Sequence, residues 1–337
     1  MNKTRHINIP IFIPHMGCPH ACVFCNQKKI SGAHSRQTPM RVKEILEESF
    51  STISEKDDVE IAFFGGSFTG IPKEEMVTYL KLAQPYIKAG KANGIRLSTR
   101  PDTISPHILN ILNNYGVTVI ELGVQSLDPE VLLMSKRGHN IEDVTIACSL
   151  IRNSGISLGI QTMLGLPEDN YEKALRTAKA VIELKPDMVR IYPTLVIKDT
   201  LLEEYYLEGK YSPLSLEQAV EWCADILLLY REAGITVLRI GLQDSDTLES
   251  SIVAGPYHPA FGELVESRIL FRKMVQSLDS LQFHNSKKII IRTCPQLVSK
   301  LVGQKRANIE AIKEKYSLNE VVVRADLEDG EFIIDMA

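Results

Sequence analysis

Residues 117–163 read VTVIELGVQSLDPEVLLMSKRGHNIEDVTIACSLIRNSGISLGIQTM, and this stretch decides the fold. Its two ends, 117–124 and 157–163, are apolar runs of the kind found in buried strands. Between them, residues 141–155 bring apolar side chains back every three or four positions and stop at a glycine, which is typical of a helix and its end. The stretch therefore predicts two parallel strands joined by a crossover helix.

The same alternation extends towards both termini. Further apolar runs suited to strands occupy 7–13, 59–64, 95–99, 187–193 and 235–241. Strands that alternate with helices predict an α/β fold, and we expect a partial (β/α) barrel of parallel strands. In such a barrel the functional side chains lie at the carboxyl ends of the strands, so we expect the chemistry there.

The pattern changes after residue 242, where a loop-rich stretch leads to a long helix and then to a short αβ pattern. We expect a barrel core over 1–245, a connecting segment with a helix over 246–283, and a small C-terminal α+β unit over 284–337.

Composition narrows the function further. The chain has 337 residues, 44% of them hydrophobic, and a net charge of −4, so it is not an electrostatic nucleic-acid binder as a whole. No apolar run approaches the roughly 20 residues that span a bilayer, and the N-terminus does not read as a signal peptide. We expect a cytoplasmic protein with no membrane association, in which clustered cysteines bind metal rather than form disulfides.

Three of the six cysteines, Cys18, Cys22 and Cys25, lie on one short loop directly after the first strand. Three thiolates in this arrangement suit three irons of a [4Fe–4S] cubane and leave the fourth iron open. A structural zinc site usually has four ligands in two pairs, and no second pair exists in the sequence. A zinc site and unrelated surface cysteines stay as alternatives. The remaining cysteines are scattered, so we expect no second cluster.

Glycines and polar residues occupy the ends of later strands. Gly65, Gly66 and Ser67 follow the second strand, where glycine lets the backbone approach a ligand, although an ordinary turn explains them equally well. Glu121 and Gln125 place a carboxylate and an amide at the end of the fourth strand, inside a mainly apolar run, where polar groups are costly to bury without partners. Gln161 lies on the fifth strand.

Each polar residue near a strand end has two interpretations. Glu121 either serves a ligand or neutralises a nearby arginine, and Gln161 either binds a ribose hydroxyl or makes a cross-strand amide contact. Arg137 is suited to clamp a carboxylate, although a solvated arginine is the commoner outcome. Arg190 and Tyr192, at the end of the sixth strand, either face a ligand or close the barrel.

The cysteine spacing, with Phe24 before the third cysteine, resembles the signature of the radical S-adenosylmethionine (SAM) superfamily. The resemblance implies that one electron from the cluster cleaves SAM to a 5′-deoxyadenosyl radical, with an electron donor such as flavodoxin or ferredoxin. It assigns the cluster to Cys18, Cys22 and Cys25, and SAM to Phe24, Gly65, Gly66, Ser67, Glu121, Arg137 and Gln161.

A narrower resemblance covers residues 7–245. STRPD (98–102), ELGVQSLD (121–128), RGHN (137–140) and IYPTLVIKDT (191–200) are similar to the radical SAM part of the Elongator catalytic subunit, an enzyme of tRNA wobble-uridine modification. The chain departs from that family in its shorter cysteine spacing and in Ser98, where a glutamate is usual. We also expect no acetyltransferase domain and hence no acetyl-CoA-dependent carboxymethylation.

Residues 301–312 resemble the turn and helix of a KH domain, which clamps a nucleic-acid backbone with a GxxG loop. Gly303 matches the first glycine, but Arg306 replaces the second. Eight basic residues concentrate in this region: Lys287, Lys288, Arg292, Lys300, Lys305, Arg306, Lys313 and Lys315. We expect Gly303, Lys305 and Arg306 to contact RNA, with a solvated basic helix as the alternative.

Three functions therefore compete. The first is a radical SAM enzyme that modifies RNA, either tRNA or rRNA. The second is a radical SAM oxidoreductase that acts on a small molecule such as a porphyrin, because LGVQS and GLP also occur in oxygen-independent coproporphyrinogen oxidase. The third is a non-enzymatic metal-binding protein.

His258, Glu263 and Glu266 either face the open end of the barrel or make a capping contact.

Overall fold

The structure is a computed structural model that describes residues 5–13, 18, 21–26, 29, 37–54, 56–243, 246–281 and 287–336. The chain divides into two compact units. The first comprises Met1–Ala219 and Ile226–Tyr257, and the second comprises Val220–Asp225 and His258–Ala337. Each unit contains a β-sheet of its own.

The first unit is built on a seven-stranded sheet whose strands are all parallel and follow one another in the order β1-β2-β3-β4-β5-β6-β8. These strands are β1 (His6–Ile13), β2 (Asp58–Gly65), β3 (Gly94–Thr99), β4 (Val117–Gln125), β5 (Ser157–Leu164), β6 (Met188–Pro193) and β8 (Thr236–Ile240). Sequential parallel strands with intervening helices form a half-barrel, so the expected partial (β/α) barrel is confirmed.

Helices connect these strands and cover the sheet. They are α1 (Pro39–Phe50), α2 (Lys73–Lys88), α3 (Pro106–Asn114), α4 (Pro129–Met134), α5 (Ile141–Asn153), α6 (Tyr171–Glu183), α7 (Leu201–Leu207), α8 (Leu216–Glu232) and α9 (Asp246–Glu249). Short 3₁₀ turns at Phe68–Gly70 and Pro101–Thr103 follow β2 and β3. A two-stranded antiparallel sheet, β7 (Val196–Ile197) with β9 (Ile252–Ala254), follows β6.

Buried apolar side chains hold the helices on the sheet. Phe63 of β2 stacks on Phe68 with ring centroids 4.6 Å apart and lies beside Tyr79 of α2. β4 is buried along almost its whole length and β2 from Val59 to Phe63, as expected for parallel strands inside a sheet. Helix starts are fixed by side-chain caps, as at α5, where Asn140 and Asp143 form a reciprocal capping box.

The second unit contains α10 (Phe261–Ser280), β10 (Lys288–Thr293), α11 (Val298–Val302), α12 (Ala307–Lys315), β11 (Glu320–Arg324) and β12 (Phe332–Met336). The strands form one sheet in the order β11-β10-β12, with β10 parallel to β11 and antiparallel to β12. Its core includes Met274, Ile289, Ile291, Leu301 and Ile309. The expected small α+β unit is thus present, and it also includes α10 and the part of α8 from Val220 to Asp225.

Among the residues that the structure describes, no helix is long and apolar enough to cross a membrane.

Candidate functional site

A network of buried polar and charged side chains crosses the interior of the half-barrel. We call it the ladder, and its members are Glu60, Arg96, Glu121, Gln161 and Arg190. The Arg96 guanidinium bridges two carboxylates, at 2.8 Å from Glu60 Oε2 and 2.9 Å from Glu121 Oε1. On the other side of Glu121, Arg190 Nε donates to Oε2 at 2.6 Å, and Gln161 Nε2 donates to the same oxygen at 3.1 Å. Glu121 therefore neutralises two arginines at once, and these side chains fix one another.

Glu121 is only 1% exposed, so its charge depends on these partners. Burial alone would raise the pKa of Glu121, but the hydrogen bonds and charge of Arg190, together with Arg96 and Gln161, hold it below its ordinary value. Gly159, directly opposite on β5, makes the room: a Cβ there would lie 2.8 Å from Glu121 Cγ. The buried position of Glu121 therefore depends on the absence of a side chain at Gly159.

At the carboxyl ends of these strands lies a cavity of about 330 Å³. Gln161 and Arg190 of the ladder line it, and so do Phe24 and Cys25 of the cysteine loop. Other residues of its wall are Phe12, Phe64, Gly65, Ser98, Gln125, Met163, Tyr192 and Arg239. The cavity therefore joins a mainly apolar wall to a few polar groups, as in pockets that hold a small organic ligand.

The loop with Cys22 and Cys25 is held from two sides. The Val23 amide donates to Ser135 O at 3.2 Å, and Val23 O accepts from the Leu202 amide at 2.8 Å. Val23 and Phe24 are buried among Val131, Leu166 and Leu202. The loop position is thus set by α4 and α7 of the half-barrel.

Within the described residues, no group of three or more His, Cys, Asp or Glu side chains converges to hold a single metal ion. A zinc ion needs its ligands around one point, whereas a cubane takes each thiolate on a different iron. Three cysteines on one loop, with no fourth ligand converging on them among the described residues, therefore suit the cluster better than zinc.

Arg137 contacts the cysteine loop directly. Its Nη1 donates to Cys22 Sγ at 3.0 Å, its Nη2 donates to Gly123 O, and its backbone O accepts from Arg100 Nη2 at 2.6 Å. The residue is 6% exposed, so it is not the solvated arginine of the alternative interpretation. It lies between a thiol and the edge of β4.

The glycine turn after β2 packs on the end of β1. Gly65 has a φ of 106°, and a Cβ there would lie 3.2 Å from the Ile13 backbone, while the Gly66 amide donates to Ile13 O at 2.8 Å. The buried Ser67 hydroxyl lies 2.8 Å from Thr99 Oγ1, so it is already partnered. Desolvation raises the pKa of the Cys18 thiol, although its side chain keeps contact with solvent, and a hydrogen bond from the Ser67 amide opposes that rise.

The sequence marked Gln125, with Glu121, as a polar group at the end of the fourth strand, but assigned it no role in the site. It ends β4 with a left-handed φ of 70°, lines the cavity, and its Oε1 is buried with no hydrogen-bond partner among the described residues. A buried acceptor without a partner fits a ligand that brings an N–H or O–H group. Its position after an apolar strand was a signal, but the left-handed turn that aims it is not readable from the residues.

His139 was not singled out by itself. It is 5% exposed, and neither ring nitrogen makes a well-formed hydrogen bond among the described residues, although the Val124 backbone lies close enough to oppose the lowering of its pKa. Burial, with the charges of Arg137 and Arg100, lowers the pKa of His139 to about 4. The imidazole is therefore neutral at pH 7 and adds no further positive charge beside the cysteine loop.

The remaining sequence candidates lie elsewhere. Gly303, Lys305 and Arg306 belong to the turn between α11 and α12 of the second unit. His258 Nε2 lies 3.1 Å from Gln304 Nε2 in the same turn, and Glu263 pairs with Lys300 at 3.5 Å. The segment 258–266 therefore supports this part of the second unit.

Comparison with known protein families gives two matches. The profile of the radical SAM superfamily matches residues 12–181, and the profile of the radical SAM C-terminal domain matches residues 186–270. An uncharacterised protein of Methanocaldococcus jannaschii is 31% identical over 238 residues, which cover 67% of this chain and 72% of that protein.

Relatives with named activities match over part of their length. The tRNA uridine(34) acetyltransferase of Methanocaldococcus infernus is 31% identical over 205 residues, 55% of this chain and 38% of that protein. Human Elongator complex protein 3 is 29% identical over 213 residues, 57% of this chain and 38% of that protein. The chain thus spans well under half of these relatives.

The structure of archaeal Elp3 from Methanocaldococcus infernus superposes with a TM-score of 0.63 and 24% identity, covering 81% of this chain and 63% of that one. Coproporphyrinogen III oxidase from Escherichia coli superposes with a TM-score of 0.50 and 20% identity, covering 69% of this chain and 54% of that one. Both show the same half-barrel fold.

Replacing Glu121 with glutamine should lower the free energy of unfolding by about 3 to 5 kcal/mol, because it leaves buried guanidinium charge uncompensated. Urea unfolding followed by circular dichroism measures the change. Glu44→Gln is the control, since Glu44 pairs with Arg41 in an exposed helix position and should change stability little. Equal effects of the two substitutions would contradict the role of the ladder.

His139 should make stability depend on pH. Because its pKa is lowered in the folded chain, the unfolded chain binds the proton first, and stability falls as the pH drops from about 6.5 to about 4. The loss attributable to this group is about 3 kcal/mol. His139→Leu should remove that part of the pH dependence in urea titrations, with the exposed His107→Leu as the matched control. An unchanged slope in His139→Leu would refute the assignment.

Proposed function

The chain belongs to the radical SAM superfamily, and from that membership we propose that it is an enzyme that modifies RNA, with tRNA as the first class of substrate to test. As a member of the superfamily it is an enzyme that uses a [4Fe–4S] cluster and SAM. The non-enzymatic alternative is therefore set aside.

We assign the cluster to Cys18, Cys22 and Cys25. Support comes from the position of the three cysteines on one loop, of which Cys25 lines the cavity and Cys22 contacts Arg137. When bound, the cluster and SAM together supply a 5′-deoxyadenosyl radical by one-electron reduction. The chain would receive that electron from a carrier such as flavodoxin or ferredoxin. Arg137, which donates to Cys22 Sγ, positions the loop and balances thiolate charge.

SAM would lie in the cavity beside Cys25. Gly65 lines the cavity and Gly66 follows it in the turn that packs on Ile13, so we assign both to SAM. The buried Oε1 of Gln125 supplies an acceptor for a ligand N–H or O–H group. Phe24 forms part of the apolar wall. The Ser67 hydroxyl is already bound to Thr99, so Ser67 acts through its backbone amide, which forms a hydrogen bond with the Cys18 thiol.

We assign Gln161 to a contact with the cofactor through one end of its side-chain amide, while the other end belongs to the ladder. Its Nε2 donates to Glu121 Oε2 and lies 3.4 Å from Ser98 Oγ, which leaves its carbonyl oxygen for a ribose hydroxyl. Glu121 has no free carboxylate oxygen, because Arg96, Arg190 and Gln161 occupy both. It therefore acts as a positioning residue for Gln161 and Arg190 rather than as a direct ligand.

RNA is favoured over a small molecule by a single observation. The relatives with named activities that match at about 30% identity are tRNA uridine(34) acetyltransferases and Elongator complex protein 3. The likeness to coproporphyrinogen III oxidase, at 20% identity, extends to the fold alone. The substrate of this chain is thus proposed to be a nucleotide of tRNA, with rRNA as the second class to examine.

Mass spectrometry of tRNA and rRNA nucleosides from a deletion strain tests the function. We expect one modified nucleoside to disappear, to return with the wild-type chain, and to stay absent with Cys22→Ala. The matched control is Cys148→Ala, which removes a buried cysteine of α5 outside the loop and should restore the nucleoside. Identical nucleoside profiles in the deletion and wild-type strains would overturn the proposal.

A further inference from the structure

The second unit carries two exposed cations on a short turn, Gly303 to Arg306, which we call the basic turn. The turn joins α11 to α12, and these helices connect two parallel strands, β10 and β11, in register from Lys288 with Glu320 to Arg292 with Arg324. This β-α-turn-α-β arrangement is the one in which a KH domain presents its backbone-binding loop. The sequence resemblance is thus matched by topology.

The basic turn is held by its surroundings. Gly303 has a φ of 77°, and a Cβ there would lie 2.9 Å from Asn308 Cγ. The Asn308 amide in turn donates to Leu301 O at 3.1 Å and to Ser267 Oγ at 2.9 Å. One asparagine therefore ties the turn to α11 and α10, so its backbone is fixed before any ligand arrives.

Lys305 and Arg306 have left-handed backbone conformations, with φ of 50° and 64°. Such conformations cost roughly 1 kcal/mol or more for residues other than glycine and persist when the surrounding structure imposes them. Both side chains are exposed. The chain thus keeps two long cationic side chains at positions where glycine would be the easier choice.

Most of the positive charge nearby is neutralised. Ion pairs of 2.9 to 3.5 Å join Lys288 to Glu320, Arg292 to Asp326, Lys300 to Glu263, Lys313 to Glu310 and Lys315 to Asp279. Lys305 and Arg306 have no ion pair with any described residue. Five of the eight basic residues expected from the sequence are therefore paired, and two of the remaining three lie side by side on the basic turn.

We propose that the basic turn binds the sugar–phosphate backbone of the RNA substrate. Two uncompensated cations on a fixed backbone suit adjacent phosphates, and they supply a local attraction in a chain whose net charge of −4 gives none overall. Arg306 replaces the glycine of a GxxG loop, so close backbone approach is exchanged for a guanidinium that can bind phosphate in a bidentate manner. This inference rests on the proposed RNA-modifying function.

Binding of 3′-labelled unfractionated tRNA to the full-length protein, followed by fluorescence anisotropy over a series of salt concentrations, tests the inference. Lys305→Glu with Arg306→Glu should raise Kd about tenfold or more near 0.1 M salt. Lys305→Ala with Arg306→Ala should reduce the slope of log K against log salt by about 1.5, the release expected for two phosphates.

The matched control reverses two exposed lysines of the first unit, Lys81→Glu with Lys91→Glu, and so makes the same change in net charge. It should shift Kd less than about threefold, as expected if the effect is local. Circular dichroism verifies that every variant is folded. Equal effects of the control and the basic-turn variants would overturn the inference.

Other outcomes separate this inference from the proposed function. If basic-turn variants restore the missing nucleoside and bind tRNA like the wild type, RNA is still the substrate but the basic turn is not its site. If polyglutamate binds through the turn and tRNA does not, the ligand is an acidic protein and the inference is wrong. If the deletion strain lacks no nucleoside, the function itself fails.

Discussion

The buried carboxylate of Glu121 is the interaction on which the half-barrel interior depends. Two guanidiniums and one amide converge on it from β3, β5 and β6, and Gly159 leaves the space that it occupies. A buried ion pair is stable only if its members are fully satisfied, since desolvation costs several kcal/mol per ion. Each member of the ladder therefore constrains the others, and Gln161 and Arg190 reach the cavity in fixed orientations.

This constraint links the core to the chemistry. If the cavity binds SAM as proposed, it needs a few donors and acceptors beside its apolar walls that do not move. Arg137 fixes the cysteine loop in a similar way, because its guanidinium donates to Cys22 Sγ on one side and to the carbonyl of Gly123 on the other. Gln125, whose buried Oε1 has no hydrogen-bond partner among the described residues, is the group that we propose for a ligand. The polar groups of the cavity are thus of two kinds: those held by other side chains of the protein, and Gln125, whose oxygen is available to a ligand.

The fold was predictable from the sequence because parallel strands leave a plain record. Continuous apolar runs marked all seven strands of the main sheet within one or two residues, and glycines marked several helix ends. The cysteine spacing was equally direct, since three thiols on one loop restrict the possible cofactors. These features depend on local residue order, which a single sequence contains.

The partners of charged residues were less predictable, because they depend on three-dimensional neighbours. The sequence left open whether Glu121 serves a ligand or an arginine, and only the structure reveals two arginines on it. Eight basic residues predicted a broad positive region, yet five of them are paired with acids that lie far away in sequence or one helical turn away. Gln125 was noted as a polar strand end but given no role, because the left-handed backbone that aims it is not encoded by a glycine.

The most direct test of the account is electron paramagnetic resonance of the reduced, reconstituted protein with and without SAM. We predict about four irons per chain, as one [4Fe–4S] cluster, with a spectrum that shifts when about one equivalent of SAM is added. The shift follows if the three-cysteine loop leaves one iron open towards the cavity. A reconstituted cluster whose spectrum does not respond to SAM would contradict the account.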